Sequence, residues 1–430
     1  MNICLLSTSD GRDGGFAAVH RLHANFRKAG HNSVIVVADK RSSDPDVIEM
    51  NPPYYQINQM MQQLIRRTVS TPSSVQEYHF DFKSFTMAST RDMIKRLPFK
   101  PDVFIACWIH YFISDKHLHH LNHETDVPIV WYLMDMAPFT GGCHYAWDCL
   151  GYTTSCGRCP AIHSTHDKDM SHRRLLSKLR YLQSTDLTVV AASTWTRQQA
   201  GRARVFSGKR IERVMLGVDP DIFAPTAKEE ARIRLKLPLD KKIIFLGSTS
   251  LRDKRKGLLY FKDALDILSR LLKTDTSVKQ SILITLAGKL DNEPGLDMPF
   301  PHVRLGYLAE DRQLARAYQA ADVFVCPSVE DSGPMMINES IMCGTPVVSF
   351  EMGVALDLVH TGETGYRAKL KDSSELAQGM YEILTLNKTE SERISQNCRD
   401  LGQRLCHPAV QVKSFEKLID SLVNKRGAGA

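Results

Sequence analysis

The most informative segment of the chain runs from Pro327 to Ser349 and reads PSVEDSGPMMINESIMCGTPVVS. Pro334 suits the first position of a helix, because its missing N–H would be unpaired there anyway. Gly344 and Pro346 end that helix, and the β-branched run that follows predicts a short buried strand. The sequence therefore predicts a helix, a tight turn and a strand in close succession.

The predicted helix is apolar on almost every side, which is typical of a helix inside a domain. A carboxylate one turn into it, Glu339, must be paired or face a pocket, because an isolated buried charge is costly. A second carboxylate, Asp331, precedes the helix, and free N–H groups at a helix start suit an anion. Together these groups can hold a phosphate beside a hydroxyl-rich group, as in a nucleotide sugar. The alternative is a carboxylate pair that only caps and solvates the helix end.

Length and composition predict a globular protein of two domains. The chain has 430 residues, which is too long for one ordinary core. Hydrophobic residues make up 43% and charged residues 24%, as in soluble proteins. No apolar run approaches the length of a membrane span, and the N-terminus lacks the basic start of a signal peptide. We therefore expect a cytoplasmic protein.

The net charge of +7 is distributed unevenly along the chain. Between Met170 and Arg213 there are ten Lys or Arg against two acidic residues. A basic surface can meet an anionic membrane, here at its inner face, or a phosphorylated acceptor. Because no recognised nucleic-acid module accompanies the charge, we expect no nucleic-acid partner. A solvated basic face is the alternative.

Strand and helix patterns alternate in both halves of the chain. An apolar strand, a loop with Gly14 and Gly15, a helix and a second strand form an N-terminal βαβ unit, which implies a parallel sheet. Glycines let the backbone approach a ligand, although a plain βα turn also explains them. The alternation restarts at Lys242, where a strand leads into a basic loop that ends at Gly257. Such loops at the carboxyl ends of parallel strands are where these sheets bind ligands.

The segment from Pro327 to Ser349 resembles the signature of retaining glycosyltransferases of the GT-B architecture, the family-four type or glycosyl transferases group 1. That signature has an acidic residue, seven others, a glutamate, a small-residue turn and Pro-Val-Val. The resemblance implies an α/β fold with two Rossmann-like domains that face each other across a cleft, and a C-terminal helix that crosses back to the first domain. The implied segments are an acceptor-side domain at 1–215 with a cysteine-rich insert at 140–165, a linker at 216–240, a donor domain at 241–405, and a crossover helix and tail at 406–430.

The resemblance also assigns catalytic and donor-binding residues. It implies that Glu339 grips the ribose hydroxyls, that Asp331 lies near the donor sugar, and that Lys256 holds the diphosphate as a point charge. Glu330 replaces Asp331 as the counterpart if the loop is one residue longer. Many members carry an arginine where this chain has Ser248, so an arginine of the basic loop would have to substitute. The remaining donor-binding assignments are Gly14, Gly15, Arg252, Arg255, Gly333, Met335 and Met336.

In this family the departing diphosphate is stabilised without a catalytic metal, by basic side chains and helix dipoles. The usual proposal for retention is a single displacement on one face, in which the leaving phosphate deprotonates the acceptor hydroxyl. No Asp-x-Asp manganese motif is placed to contradict this, so we expect no catalytic metal. A nucleotide diphosphate sugar is the expected donor, and a saccharide or lipid-linked saccharide the expected acceptor.

Four of the ten cysteines fall within 17 residues, and two of them form the C-x-x-C pattern CGRCP. In a reducing compartment this density favours a metal over disulfides, and zinc takes four soft ligands in a tetrahedron. The two pairs are separated by only six residues, which is shorter than in a usual zinc ribbon. We predict a structural zinc site, with an iron–sulfur cluster, disulfides or reduced thiols as alternatives. Its ligands would be Cys143, Cys149, Cys156 and Cys159.

The run DMAPFTGGCHY from Asp135 to Tyr145, with the later cysteines, resembles a bacterial subgroup of these transferases that builds exopolysaccharides such as colanic acid. The subgroup usually has His-Asp where this chain has Met134 and Asp135, and its histidine lies at the donor sugar. Methionine cannot hydrogen-bond comparably, so His110 or His144 would have to cover that role. Otherwise the chain would be slow, altered in donor choice or inactive. Asp135 is implied to contact an acceptor hydroxyl, and both histidines are acceptor-side candidates, although His110 also fits a packed histidine at a strand end.

The sequence thus predicts a retaining hexosyltransferase of polysaccharide biosynthesis. The alternative is a non-catalytic nucleotide-sugar-binding partner of another transferase. A third option is a nucleotide-sugar epimerase of the same architecture, against which the basic stretch weighs because it favours a large anionic acceptor.

Overall fold

The computed structural model describes residues 1–11, 15–50, 57, 60, 73–81, 88–289 and 297–427. The chain divides into two compact units. Unit 1 comprises Met1–Gly217 and Gln411–Ala430, and unit 2 comprises Val218–Val410. Gly14 and residues 428–430 of the predicted tail lie outside the described residues.

The sheet of unit 1 is parallel, and its strands follow the order β3-β2-β1-β4-β5-β6-β7. This order reverses direction at β1 and β4, and ligands bind at the carboxyl ends of the strands beside such a switch point. Most of these strands are continuous runs of buried residues, as parallel strands are when both sheet faces are covered. The strands are β1 (Asn2–Ser9), β2 (Asn32–Asp39), β3 (Val47–Glu49), β4 (Val103–Ala106), β5 (Ile129–Leu133), β6 (Leu187–Ala191) and β7 (Arg210–Arg213).

Several helices of unit 1 begin at a polar capping residue. Ser89, Asp169 and Ser193 each accept a hydrogen bond from a backbone N–H of the first helical turn, which satisfies a donor that the helix leaves unpaired. The helices are α1 (Gly15–Lys28), α2 (Ser73–Glu77), α3 (Thr90–Arg96), α4 (Asp115–Thr125), α5 (Met170–Leu182) and α6 (Thr194–Arg202).

The sheet of unit 2 is also parallel, in the order β10-β9-β8-β11-β12-β13. The predicted strand after Pro346 is found as β12, and its four residues are buried. The strands are β8 (Lys242–Ser250), β9 (Ile282–Lys289), β10 (His302–Gly306), β11 (Val323–Cys326), β12 (Val347–Phe350) and β13 (Gly365–Ala368). The helices are α7 (Lys228–Arg234), α8 (Leu258–Leu271), α9 (Thr276–Ser281), α10 (Asp311–Ala320), α11 (Met335–Met342), α12 (Ala355–Leu358), α13 (Ser373–Thr385) and α14 (Lys388–Cys406). The last helix, α15 (Pro408–Gly427), begins in unit 2 and belongs to unit 1 from Gln411 onward.

The segment that the sequence analysis treats as a linker, 216–240, is built into unit 2 from Val218 onward and contains α7. Arg232 of this helix is buried. Its guanidinium donates to the carbonyls of Ala320 at 3.0 Å and Leu239 at 2.8 Å, and pairs with Asp322 at 2.8 Å. A polar helix sequence thus packs beside α10 and the start of β11 through a buried arginine, which hydrophobic periodicity does not reveal.

Candidate functional site

In unit 2, the two loops that the sequence singles out leave neighbouring strands. Because β8 and β11 pair in parallel, the segments that follow them lie at the same edge of the sheet. The N–H of Val329 donates to the carbonyl of Arg255 at 2.8 Å, which ties one loop to the other. Gly257 has a φ of +71°, and a Cβ there would lie 1.8 Å from the carbonyl oxygen of Pro327. Glycine is therefore required for this close approach.

This approach pairs Lys256 with Asp331. The Lys256 ammonium donates to Oδ2 of Asp331, and Nη1 of Arg255 lies 3.4 Å from the same oxygen. Burial alone raises the pKa of Asp331, but the charges of Lys256 and Arg255 outweigh burial and lower that pKa below its ordinary value. The carboxylate is therefore ionised at neutral pH. The N–H of Gly333 also donates to Asp331, at 3.3 Å, so this predicted donor-binding amide is already engaged.

The two arginines proposed as substitutes at the diphosphate differ in their surroundings. Arg255 is buried, and its guanidinium donates to Asp253 at 2.7 Å and to the carbonyl of Glu330 at 3.1 Å. Arg252 is exposed. Arg255 therefore builds the loop, whereas Lys256, 23% exposed, is the cation that lies both beside the carboxylate and at the surface.

Glu339 is 2% exposed, and its carboxylate accepts a hydrogen bond from the hydroxyl of Tyr318 at 3.2 Å. Burial and the charge of Glu339 raise the pKa of Tyr318, so the phenol remains a donor. The Glu339 carboxylate is thus paired within unit 2, which is one of the two arrangements expected for a charge on an apolar helix, the other being exposure to a pocket. Met336, at the start of the same helix, packs against Gly247 of β8. A Cβ at Gly247 would lie only 2.4 Å from the terminal methyl group of Met336. Both Met335 and Met336 are partly exposed.

A second cluster forms in unit 1, where β1, β4 and β5 are neighbours. His144 is folded back onto the end of β5, where its carbonyl accepts from the N–H of Met136 at 3.1 Å. Its Nδ1 lies 2.5 Å from Asp135, and its Nε2 lies 3.0 Å from Oδ2 of Asp81. Nδ1 of His110 lies 3.0 Å from the same Asp81 oxygen. The structure thereby brings together the three acceptor-side candidates and adds a carboxylate that the sequence analysis does not name.

The electrostatics of this cluster centre on His144. Burial alone lowers the pKa of His144, but the carboxylates of Asp135 and Asp81 outweigh burial and raise that pKa to about 10. Burial raises the pKa of both carboxyl groups, yet His144 lowers each below its ordinary value. An imidazolium therefore lies between two carboxylates at neutral pH.

Asp135 is 1% exposed, and its carboxylate also accepts from the N–H of Ala137 at 2.9 Å. With His144 on its other oxygen, the carboxylate orients His144, and its expected contact with an acceptor hydroxyl stays a prediction. His110 is the more exposed histidine of the cluster, at 15%. Met134, which stands in place of the subgroup's histidine, is half-buried beside Asp135.

Trp108 joins the histidines to the glycine loop. Its ring centroid lies 5.2 Å from that of His110 and 5.1 Å from that of His144. A Cβ at Gly15 would lie 3.1 Å from the same indole, so the backbone at Gly15 lies against this ring. Gly15 therefore permits packing on Trp108, and its predicted role under the donor phosphates stays a prediction.

The four clustered cysteines are free thiols. Cys143 donates a side-chain hydrogen bond to Cys159, which lowers the pKa of Cys159 to about 7. Cys149 accepts from the N–H of Gly151 at 3.5 Å, and Cys156 accepts from a backbone N–H as well. These donors suit thiolate ligands, so the donor set fits zinc in its chemistry.

Two other sets of side chains have three ligand atoms within 4.8 Å of one another in the described part of the chain. They are Asp81–His110–His144 and His23–Asp44–Asp46. Among the described residues, the cysteine sulfurs form no group of three that meets this distance. A tetrahedral cysteine site would therefore require the four sulfurs to move closer together.

The basic stretch contributes an exposed face to unit 1. On α5, Arg173 and Arg180 are exposed, as are Met170 at 36% and Leu176 at 42%. Among the helices that the structure describes, none combines the length and apolar character needed to cross a bilayer.

Sequence reasoning misses Asp81, Trp108 and Tyr318. Trp108 stands two residues before His110 at the end of a strand, and this pairing of aromatic and histidine is a signal that could have indicated it. Tyr318 is the polar residue in a mostly small and apolar helix face. Asp81 follows a short helix and carries no local pattern, so only its position in the fold reveals it.

Comparisons with known proteins place these features in context. Residues 240–386 match the family model described as Glycosyl transferases group 1. A D-inositol 3-phosphate glycosyltransferase of Streptosporangium roseum is 26% identical over 244 residues, which cover 51% of this chain and 54% of that protein. The chain thus spans about half the length of the curated relatives it matches.

Solved structures show the fold. Sucrose-phosphate synthase from Thermosynechococcus elongatus matches with a TM-score of 0.65 and 16% identity, and the match covers 100% of both chains. Anabaena Alr3699/HepE in complex with UDP and glucose matches with a TM-score of 0.61 and 14% identity, covering 98% of this chain and 100% of that one. The predicted fold class, an α/β chain with two Rossmann-like units as in GT-B proteins, is confirmed.

Proposed function

We propose that this chain is a retaining glycosyltransferase that moves a hexose-type sugar from a nucleotide diphosphate sugar to a saccharide or lipid-linked saccharide in polysaccharide biosynthesis. The observation that carries the proposal is the arrangement of Lys256, Asp331 and Glu339 at the carboxyl ends of β8 and β11. These residues lie within the segment that matches the group 1 glycosyl transferases. A structural neighbour holds UDP and glucose, which supports a nucleotide sugar as the donor.

Lys256 is proposed to bind the donor diphosphate. Its ammonium pairs with Asp331 through a flexible side chain, and it can turn to an arriving diphosphate while Arg255 continues to neutralise Asp331. The N–H groups at the start of α11 add positive potential at the same edge of the sheet. Stabilisation of the leaving diphosphate then requires no catalytic metal.

Glu339 is proposed to bind the ribose hydroxyls. Tyr318 donates to one carboxylate oxygen and holds the group in a fixed orientation inside an apolar helix environment. A charged acceptor held in this way binds hydroxyls strongly, because the hydrogen bonds are charge-assisted and little ordering remains to be done.

The unit 1 cluster is proposed to contact the transferred sugar and the acceptor, with His110 and His144 as the nearest candidates. The exposed face of α5 is proposed to meet an anionic membrane or a phosphorylated acceptor, since arginines and apolar side chains alternate there. A soluble cytoplasmic enzyme at the inner face of the membrane would combine these properties.

The test is a panel of nucleotide sugars screened by thermal shift, followed by calorimetry on the best ligand. We expect Glu339→Ala to abolish measurable nucleotide binding, whereas the exposed control Glu382→Gln should bind as the wild type does. Unchanged affinity in Glu339→Ala would remove Glu339 from the site.

One observation favours the alternative of a non-catalytic binding partner: Met134 stands where the subgroup has a histidine. Nucleotide-sugar binding without transfer to any saccharide or lipid-linked acceptor, and without hydrolysis, would support that alternative over the enzyme.

A further inference from the structure

The carboxylate of Asp81 contacts the side chains of His110, His144 and Tyr111 in unit 1. Its Oδ2 lies 3.0 Å from Nδ1 of His110 and 3.0 Å from Nε2 of His144, and its other oxygen accepts from the hydroxyl of Tyr111. The carboxylate is buried. One carboxylate thus contacts two histidines that lie at the carboxyl end of the sheet.

The backbone of Asp81 is fixed by the same loop that carries His144. The N–H of Asp81 donates to the carbonyl of Gly142 at 2.9 Å, and its neighbour Phe80 forms an antiparallel bridge with Cys143. Its carbonyl accepts from the guanidinium of Arg174. Asp81 therefore cannot move without moving the loop from 140 to 144.

The two histidines differ in what they can offer a ligand. Both ring nitrogens of His144 are occupied by Asp135 and Asp81. His110 uses only Nδ1, and its Nε2 has no hydrogen-bond partner among the residues that the structure describes. With Nδ1–H donating to Asp81, the Nδ1–H tautomer of His110 leaves Nε2 as an acceptor for a hydroxyl group.

We propose that Asp81 is a positioning residue that fixes the ring and tautomer of His110, so that Nε2 of His110 accepts a hydrogen bond from a hydroxyl of the sugar or acceptor. Trp108 backs the ring from one side with a centroid distance of 5.2 Å. Met134, at the position of the subgroup's histidine, cannot accept such a hydrogen bond with comparable strength. This inference rests on the proposed sugar transfer, and it assigns to His110 the contact that Met134 cannot make.

The ligand atoms of Asp81, His110 and His144 lie within 4.8 Å of one another, so a shared metal ion is the competing explanation of this cluster. Asp135 on the second nitrogen of His144 would be the usual outer partner of a metal-bound histidine. A bound metal and a hydrogen-bonded network predict different outcomes, so the experiment separates them.

The experiment compares Asp81→Asn with the wild type and with Asp102→Asn. Asp102 is a matched control, because its carboxylate also accepts a hydrogen bond, from the N–H of Asn2 at 2.7 Å. It directly precedes β4 and therefore lies at the amino end of the strands, whereas the histidines lie at the carboxyl end. We expect Asp81→Asn to lower kcat by roughly 10- to 100-fold with little change in nucleotide affinity, because misplacement of one contacting group costs about that much. Asp81→Glu should restore part of the rate, and Asp102→Asn should leave it unchanged.

Long-range proton–nitrogen correlation spectra of histidine-labelled protein give a readout that does not depend on turnover. We expect the His110 ring in the wild type as the Nδ1–H tautomer, assigned with His110→Gln, and a mixture of tautomers in Asp81→Asn. A wild-type tautomer and rate in Asp81→Asn would overturn the proposal. If the wild type transfers no sugar, the proposed function fails, and the spectra still test the Asp81–His110 contact.

Metal analysis of the purified full chain completes the test. One equivalent of metal that is lost in Asp81→Asn but kept in Cys143→Ser would replace the positioning role by a metal site. No metal assigned to these residues, together with the tautomer change, would support the proposal.

Discussion

The candidate sites of the two units are built in opposite ways. In unit 2, Lys256 pairs with Asp331 near the surface, and the cation is the exposed partner. In unit 1, the cation of His144 is enclosed between Asp135 and Asp81, and both carboxylates are buried. A surface cation can leave its partner for an incoming anion, whereas an enclosed imidazolium is held in place by two charges. The first arrangement suits binding of a diphosphate, and the second suits fixed orientation.

The largest effect on activity is expected from substitution of Lys256, the cation of the unit 2 pair. Lys256→Ala should lower kcat/KM by about 100- to 1,000-fold, the range typical of removing one group that stabilises a developing negative charge. Steady-state kinetics with the donor identified by the screen would measure it. Lys254→Ala is the control, because this exposed lysine lies in the same loop. A loss of less than tenfold would show that Lys256 pairs with Asp331 for structural reasons only.

The next effect concerns the cysteine loop that carries His144. We expect about one zinc per chain, held by the cysteine cluster, and a lower melting temperature after removal of zinc by a chelator. Mass-spectrometric metal analysis and thermal unfolding would measure these quantities, with Cys156→Ser as the variant. Cys398→Ser is the control, since Cys398 is buried in unit 2 away from the cluster. A fully stable chain without metal would contradict the prediction.

A smaller effect is expected in the pH dependence of stability. The pKa of His144 is raised from 6.5 to about 10 in the folded state, so its stabilising contribution is fully present below pH 6.5 and is lost as pH rises toward 10. The slope should reach roughly 1 kcal/mol of unfolding free energy per pH unit. Denaturant unfolding between pH 6.5 and 10 would measure it, and His144→Gln should flatten the decline. Identical pH profiles for the variant and the wild type would show that the imidazolium is not enclosed as described.

The smallest effect is expected at Met134. Met134→His should raise turnover by a few fold at most, because His110 is proposed to make the missing contact already and one added hydrogen bond contributes about 1 kcal/mol. Single-turnover rates on the same donor and acceptor would measure the change. A rise of tenfold or more would contradict the assignment of the missing contact to His110.

The sequence alone determines the elements whose pattern is local. The strand β12 occurs where the β-branched run after Pro346 predicts it, because such a run beside turn residues is a strong signal. The elements missed are those without such a pattern. The edge strand β10 is largely exposed, and α7 packs through Arg232 instead of an apolar stripe.

The two candidate sites differ in the same way: one is predicted from local motifs, and the other forms only when distant segments pack together. Lys256, Asp331 and Glu339 are predicted from short motifs, because the loops that carry them leave adjacent parallel strands and local sequence fixes each loop. Asp81 meets His110 and His144 only through folding, since these residues come from separate segments of unit 1. Likewise, only the tertiary structure pairs Glu339 with Tyr318 and assigns Asp135 to His144. The physical reason is that a buried charge requires a partner but does not specify which one, and the packing of distant segments makes that choice.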